Sequence, residues 1–303
     1  MPEPATAPAS PTIQHSFADL NGVRLHYAHA GSGKLVLFLH GFPEFWYAWR
    51  NQLTEFGRDF MAVAPDMRGY NLSSKPSEVE NYDIRLLTGD VVGLVRYLGA
   101  KACCLVGHDW GGAVAWAVAI AAPQVVERLV IINAPHPGVF ERELRENPAQ
   151  QQASQYMLRF QDPHMEEMIS ANNFAQFQEG ILGALLRQGI FTEADRQSYL
   201  DAWSQPGALT GGLNYYRAAK IGPPGASAAK SFLTRAESSP LEVTVPTLVI
   251  WGEKDPYLMT SNLDGLERYV QNLKVQRVPD ATHWVVHEKP TLVNSSIRSF
   301  IAA

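Results

Sequence analysis

A chain of 303 residues is long enough for one large or two modest domains with a real core, and 46% hydrophobic against 18% charged residues excludes a disordered, collagen-like or low-complexity protein. Its 25 Lys and Arg against 30 Asp and Glu leave a formal net charge of −5, so the basic excess that nucleic acid or an anionic membrane surface would want is missing. Cys103 and Cys104 are adjacent, and neighbours in a strand point to opposite faces, so they offer no disulfide and a reducing, cytoplasmic compartment is expected.

Met1–Thr12 is rich in Pro and Ala and lacks the basic start and apolar stretch of a secretory signal; residues 1–15 are expected to be flexible. From Phe17 two short strands flank Asn21-Gly22, a hairpin signal. The period then changes. Lys34–Leu39 is a continuous apolar run, the pattern of a strand buried on both faces, and Phe60–Ala64, Ala102–Val106, Leu129–Ile132 and Thr247–Trp251 repeat it. Helical stretches at Ile84–Leu98 and Ala113–Ala121 lie between these runs; the second continues to Ala122 as the longest apolar run, well short of the about 20 residues a bilayer needs, so no membrane span is expected. Strand and helix alternating in this way predict an α/β fold, a mostly parallel doubly wound sheet whose ligands sit at the carboxyl ends of its strands.

The alternation stops after Asn133. From Pro137 to about Ser231 the chain reads as helices, broken at Gln205–Gly207 and Pro223–Gly225, and the strand pattern resumes at Val243. The expected organisation is a core in two parts, 16–136 and 236–303, with a helical cap at 137–235 inserted after the sixth strand, where it would roof a site.

The strongest local motif is Gly107-His108-Asp109-Trp110-Gly111, which ends a predicted strand and opens a predicted helix. It has the spacing of a nucleophile elbow, in which small flanking residues allow a sharp turn that holds the central side chain outward. The central residue is Asp rather than Ser. A carboxylate is ionised at pH 7 without help and can open an sp3 carbon to form an alkyl ester. An Asp before a helix is also a common N-cap, and on this motif alone the two readings are evenly matched. A second motif, His40-Gly41-Phe42-Pro43-Glu44, follows the first fully apolar strand; the Phe42-Pro43 bond is a place where a cis peptide is cheap.

With these motifs the chain resembles the α/β-hydrolase superfamily and, within it, the epoxide hydrolases. The resemblance runs from about Phe17 to the C-terminus and also takes in Phe45-Trp46-Tyr47, Arg68–Ser73 and the regions around Asp255 and His283. It implies that the backbone N–H groups of Phe42 and Trp110 form an oxyanion hole. It further implies that the insertion is a cap whose tyrosines Tyr156 and Tyr216 hydrogen-bond an epoxide oxygen. Tyr216 is preferred to Tyr215 because the family's tyrosine directly precedes an arginine, here Arg217.

The chemistry is self-consistent. An epoxide oxygen leaves as an alkoxide, so two phenols that donate as charge develops lower the barrier. His283, after a predicted strand at Lys274–Val278, is the expected base, and Asp255, after the Thr247–Trp251 strand, would orient it. Glu253 competes for the acid position. Relatives that place the acid before the cap have no match here, since Ile132-Asn133-Ala134 carries Asn. His40 and His108, with Gly41, Pro43 and Glu44, flank the site as loop and substrate support, while His136, His164 and His287 show no partner pattern and are expected to be structural or exposed.

The expected reaction joins an apolar or aryl epoxide and water into a vicinal diol. Two other readings stay open: a haloalkane or haloacetate dehalogenase using the same Asp109, and a hydrolase fold that binds a ligand without catalysis. Gly31-Ser-Gly-Lys34 lacks the rest of a phosphate loop. No cofactor, metal or nucleic-acid partner is expected, and the protein is expected to be a monomer or homodimer.

Overall fold

A computed structural model describes residues 11–20, 22–224 and 241–303. An eight-stranded sheet forms its centre, in the order β1-β2-β4-β3-β5-β6-β7-β8. β1 (Gln14–Leu20), β2 (Val23–Ala30) and β4 (Met61–Pro65) are joined by antiparallel pairing, whereas β3 (Leu35–Leu39), β4, β5 (Cys103–His108), β6 (Val126–Ile132), β7 (Thr247–Gly252) and β8 (Leu273–Val278) run parallel. β1 pairs from Gln14 onward, so the ordered sheet begins inside the stretch expected to be flexible, because Gln14 and His15 find backbone partners opposite His29 and Ala28. Residues 1–10 and Asn21 of the expected hairpin turn lie outside the described residues.

The apolar runs form strands because both faces of the sheet are covered. Along β3, Leu37 and Leu39 join one hydrophobic layer and Val36 and Phe38 the other; on β5 the same alternation sends Cys103 to one face and Cys104 to the other, and both remain free thiols. Each such aliphatic side chain, fully buried, stabilises the fold by about 1.5–3 kcal/mol before conformational entropy is counted. The flanking helices are α1 (Arg50–Phe56), α2 (Ile84–Tyr97) and α3 (Trp110–Ala121), and, after the last strand, α11 (Val285–Glu288) and α12 (Pro290–Ala302).

Between β6 and β7 come seven described helices: α4 (Pro137–Glu146), α5 (Pro148–Ala153), α6 (Gln155–Arg159), α7 (Met165–Ile181), α8 (Gly183–Arg187), α9 (Glu193–Trp203) and α10 (Ala208–Ala219). The end expected for the insertion, residue 235, and Gly225 of the Pro-Pro-Gly break lie outside the described residues. α7 is interrupted where Asn172, Asn173 and Phe174 take positive φ. Among the described residues no helix is long and apolar enough to cross a membrane.

The connection from β3 leads to β4 on one side, and the next strand, β5, returns to the other side of β3. This reversal opens a crevice beyond the carboxyl ends of β3 and β5, the place where doubly wound sheets bind ligands. β4, β6, β7 and β8 end on the same side, so the segments after six parallel strands emerge there.

Candidate active site

Asp109 sits at the end of β5, directly before α3, with φ 51° and ψ −122°. That left-handed backbone is unfavourable for a residue with a Cβ and persists only where its surroundings fix it. The fixing is steric. A Cβ on Gly107 would come within 2.4 Å of the Gly111 carbonyl oxygen, and one on Gly111 within 2.2 Å of the Leu39 carbonyl oxygen, so only glycines let the turn close against β3. Asp109 occupies the N-cap position, yet its side chain accepts nothing from α3. Its Oδ1 accepts instead from the Phe42 N–H at 2.7 Å, so the side chain does not cap the helix that it precedes. The Trp110 N–H belongs to the first turn of α3, where a helix has no acceptor of its own to offer.

His283 follows β8 and is 3% exposed. Its Nδ1 lies 2.6 Å from Asp255 Oδ2, and its Nε2 lies 3.6 Å from Asp109 Oδ2, an ion-pair separation rather than a hydrogen bond. Burial opposes a charge on this imidazole, but Asp255 and Asp109 outweigh it and push its pKa up to about 10. Asp255 is held on every side. Oδ1 accepts from the Tyr257 and Leu258 N–H groups at 2.8 and 3.1 Å, and Oδ2 also accepts from Asn133 Nδ2 at 2.7 Å. Glu253, its competitor in the sequence, turns to Arg277 at 2.9 Å.

Tyr156, on α6, and Tyr216, on α10, line with Asp109 two cavity lobes of about 60 and 200 Å³. Both lobes are lined by Asp109 and both tyrosines; one runs past Trp110, Phe140, Met157 and Leu258, the other past Phe42, Phe160, Phe177 and Trp284. Burial and the charge of Asp109 raise both phenols well above their usual range; for Tyr156 the charge of Asp109 ranks second, and for Tyr216 it follows the neighbouring Tyr156. The Tyr215 hydroxyl points elsewhere and donates to the Arg68 carbonyl at 2.8 Å.

The supporting residues separate by role. His40 bridges its own loop, with Nδ1 2.9 Å from the Gly41 carbonyl, and accepts at Nε2 from the Met67 N–H. Gly41 leaves no room for a Cβ, which would stand 2.3 Å from that of Asp109. Phe42-Pro43 is cis, and the Pro43 carbonyl accepts from Trp203 Nε1 of α9 at 2.7 Å. Glu44 is buried and surrounded by Tyr199 Oη at 2.9 Å, His287 Nε2 at 2.6 Å and His108 Nδ1 at 3.2 Å. Although burial works against its charge, the two histidines hold its carboxyl well below the usual range. His108 reaches on to the His283 carbonyl at 2.9 Å.

Of the histidines without a sequence pattern, His136 caps α4 and contacts the Leu241 carbonyl, burial lowering its pKa to about 4; His164 is exposed; His287 is tied to Glu44. Sequence reading missed Asn133, Gln150 and Tyr257. Asn133 stood out only as a carboxylate that was not there, and Gln150 lies in a Gln-rich stretch with no motif. Among the described residues no group of three or more metal-ligating side chains converges.

A family model described as "alpha/beta hydrolase fold" matches residues 34–290. The chain is similar to the AB hydrolase superfamily protein YfhM of Bacillus subtilis, at 39% identity over 95% of this chain and 98% of that one. It is likewise similar to epoxide hydrolase 4 of Mus musculus, at 37% identity over 93% and 77%. An epoxide hydrolase of Bacillus megaterium solved with an inhibitor superposes with a TM-score of 0.89, 40% identity and coverage of 95% and 100%. The chain belongs to the α/β-hydrolase superfamily and, within it, to the epoxide hydrolase family.

Proposed function

We propose that this chain hydrolyses an apolar or aryl epoxide to a vicinal diol through a covalent ester on Asp109. The observation that carries the reading is one constellation: Asp109, oriented by the Phe42 N–H, faces the half-buried Tyr156 and the buried Tyr216 on one side and the His283–Asp255 pair on the other.

In the first step Asp109 Oδ2 attacks an epoxide carbon while Oδ1 stays on the Phe42 N–H. Tyr156 or Tyr216 gives its proton to the departing oxygen, and both phenols brace it. Their raised pKa values keep them protonated until charge develops there. Ester formation removes the charge of Asp109, one of the two carboxylates that hold His283 protonated. Burial then weighs more, so His283 gives up a proton that restores the phenol and becomes a base. In the second step neutral His283, steadied by Asp255, takes a proton from water as it attacks the ester carbonyl. The N–H groups of Phe42 and Trp110 receive the developing oxyanion; as the adduct collapses, the proton of its new hydroxyl passes to the departing alkoxide, Asp109 regains its charge beside protonated His283, and the diol leaves.

The insertion expected at 137–235 acts as the cap, and its described helices, between Pro137 and Ala219, supply the phenols and keep water from the first step. The aromatic lining of both lobes, without Lys or Arg among the described residues, favours an uncharged aryl substrate over a haloacetate. A variant of the Bacillus megaterium enzyme has been solved with its product (R)-3-[1]naphthyloxy-propane-1,2-diol, which supports an aryl glycidyl ether as substrate class. Free Cys103 and Cys104 accord with the cytoplasm as its compartment. The test is a parallel assay of aryl and alkyl epoxides and haloalkanes with freshly purified protein. Diol without halide is expected; halide without diol would make the protein a dehalogenase.

A further inference from the structure

Gln150 is fully buried in α5, a helix of six residues, too short to persist on its own. Its Oε1 accepts from the Met259 N–H at 2.9 Å and from Asn262 Nδ2 at 2.7 Å, and its Nε2 donates to the Tyr257 carbonyl and to Ser154 Oγ, both at 2.8 Å. A primary amide has two donor hydrogens and two acceptor lone pairs, and here all four are used. The amide orientation is fixed by its partners, since a backbone N–H can only donate and a carbonyl only accept.

The segment gripped in this way is the one that holds Asp255. The Tyr257 carbonyl and the Met259 N–H, both bonded to Gln150, flank Leu258, and the Tyr257 and Leu258 N–H groups are the donors to Asp255 Oδ1. A second tie lies alongside, where Asn147, the N-cap of α5, donates to Ser261 Oγ at 3.0 Å. Among the described residues no hydrogen bond from the sheet duplicates the grip on residues 257–259.

We propose that Gln150 is a positioning residue for Asp255: through the 257–259 backbone it sets the carboxylate that orients His283, and so governs hydrolysis of the ester more than its formation. This rests on the two-step reading above. An apolar side chain at position 150 fills the space and leaves the Tyr257 carbonyl and Met259 N–H unpaired. A glutamate fills it too, but turns an acceptor toward the Tyr257 carbonyl.

The test uses Gln150→Met and Gln150→Glu in the full chain, with His283→Gln as the reference in which ester is trapped. In single-turnover quench with phenyl glycidyl ether, hydrolysis of the Asp109 ester is expected to slow by about 10- to 100-fold, the range typical of residues that orient a working ligand. Ester formation should change far less, so the adduct accumulates. Independently of any substrate, the downfield proton resonance of the His283 Nδ1–H should shift or broaden in both variants. If Gln150→Met does not fold, Gln150→Glu decides. Equal slowing of both steps, or wild-type hydrolysis with an unmoved resonance, overturns the assignment of Gln150. Absence of ester even in His283→Gln overturns the two-step reading instead, and the resonance then still judges Gln150.

Discussion

Asp109, His283 and Asp255 come from segments that follow parallel strands, whereas Tyr156 and Tyr216 come from short helices of the insertion. The first group is fixed through the backbone: an elbow that only glycines allow, a Phe42 N–H, and two N–H groups on Asp255. The second group is fixed by packing. Tyr216 meets Phe42, Trp110 and Phe160 with ring centroids 5.4, 5.1 and 5.1 Å away, and Tyr156 meets Phe160 and Tyr257 at 5.4 Å each. Backbone geometry tolerates almost no substitution, while ring packing can be rearranged. The proposed nucleophile and base are therefore bound to the fold, and the proposed donors and the cavity walls are the part that can vary with substrate.

That contrast is broken most directly at Asp109. Asp109→Asn should lower turnover by about 10⁴-fold or more, as loss of a nucleophile does, measured on fresh protein because deamidation regenerates Asp. His283→Gln should lower turnover by about 10²- to 10⁴-fold while leaving ester formation in place, so intact mass should show an adduct equal to the substrate. Tyr156→Phe and Tyr216→Phe should each slow ester formation by about 10- to 100-fold, with a larger loss in the double variant, because either phenol can still donate alone. Equal damage to ester hydrolysis would mean that the phenols serve both steps.

Smaller effects sharpen the same division. Asn133→Leu leaves the Gly252 N–H and one lone pair of Asp255 unpaired, so the fold should lose about 1–3 kcal/mol by denaturant titration. For pH, His283 has a folded pKa raised to about 10 against an unfolded value near 6.5. Its contribution to stability is complete below about pH 6.5 and is lost as pH rises through about 10. Asp109→Asn removes one of the carboxylates responsible, so the fall in Tm between those limits should be shallower in the variant than in the wild type.

Much of the strand-borne half was legible in the sequence. Short apolar runs of five or six residues bounded by turn residues fit strands covered on both faces, whereas the longer run at Ala113–Ala121 fits a helix, and a Gly-His-Asp-Trp-Gly turn between strand and helix leaves few conformations. The sheet order, which brings residues after β3, β5, β7 and β8 together, needed the long-range pairing. The insertion was legible as helices but not as walls, since which side of a short helix faces the cavity depends on contacts with distant loops. Asn133 shows the limit well. Its sequence position reads as a missing acid, and its function, a donor to Asp255 some 122 residues on, exists only in three dimensions. Glu44 and His287, 243 residues apart, are legible for the same reason only once folded.

The central claim is that an oxygen of Asp109, not of bulk water, is first joined to the substrate. It is tested by a single turnover in H₂¹⁸O with enzyme in excess over an aryl epoxide. The diol should then carry unlabelled oxygen, and ¹⁸O should appear in the peptide that contains Asp109. Label in the diol after that first turnover, with none in Asp109, would contradict the account and show direct attack of water on the epoxide.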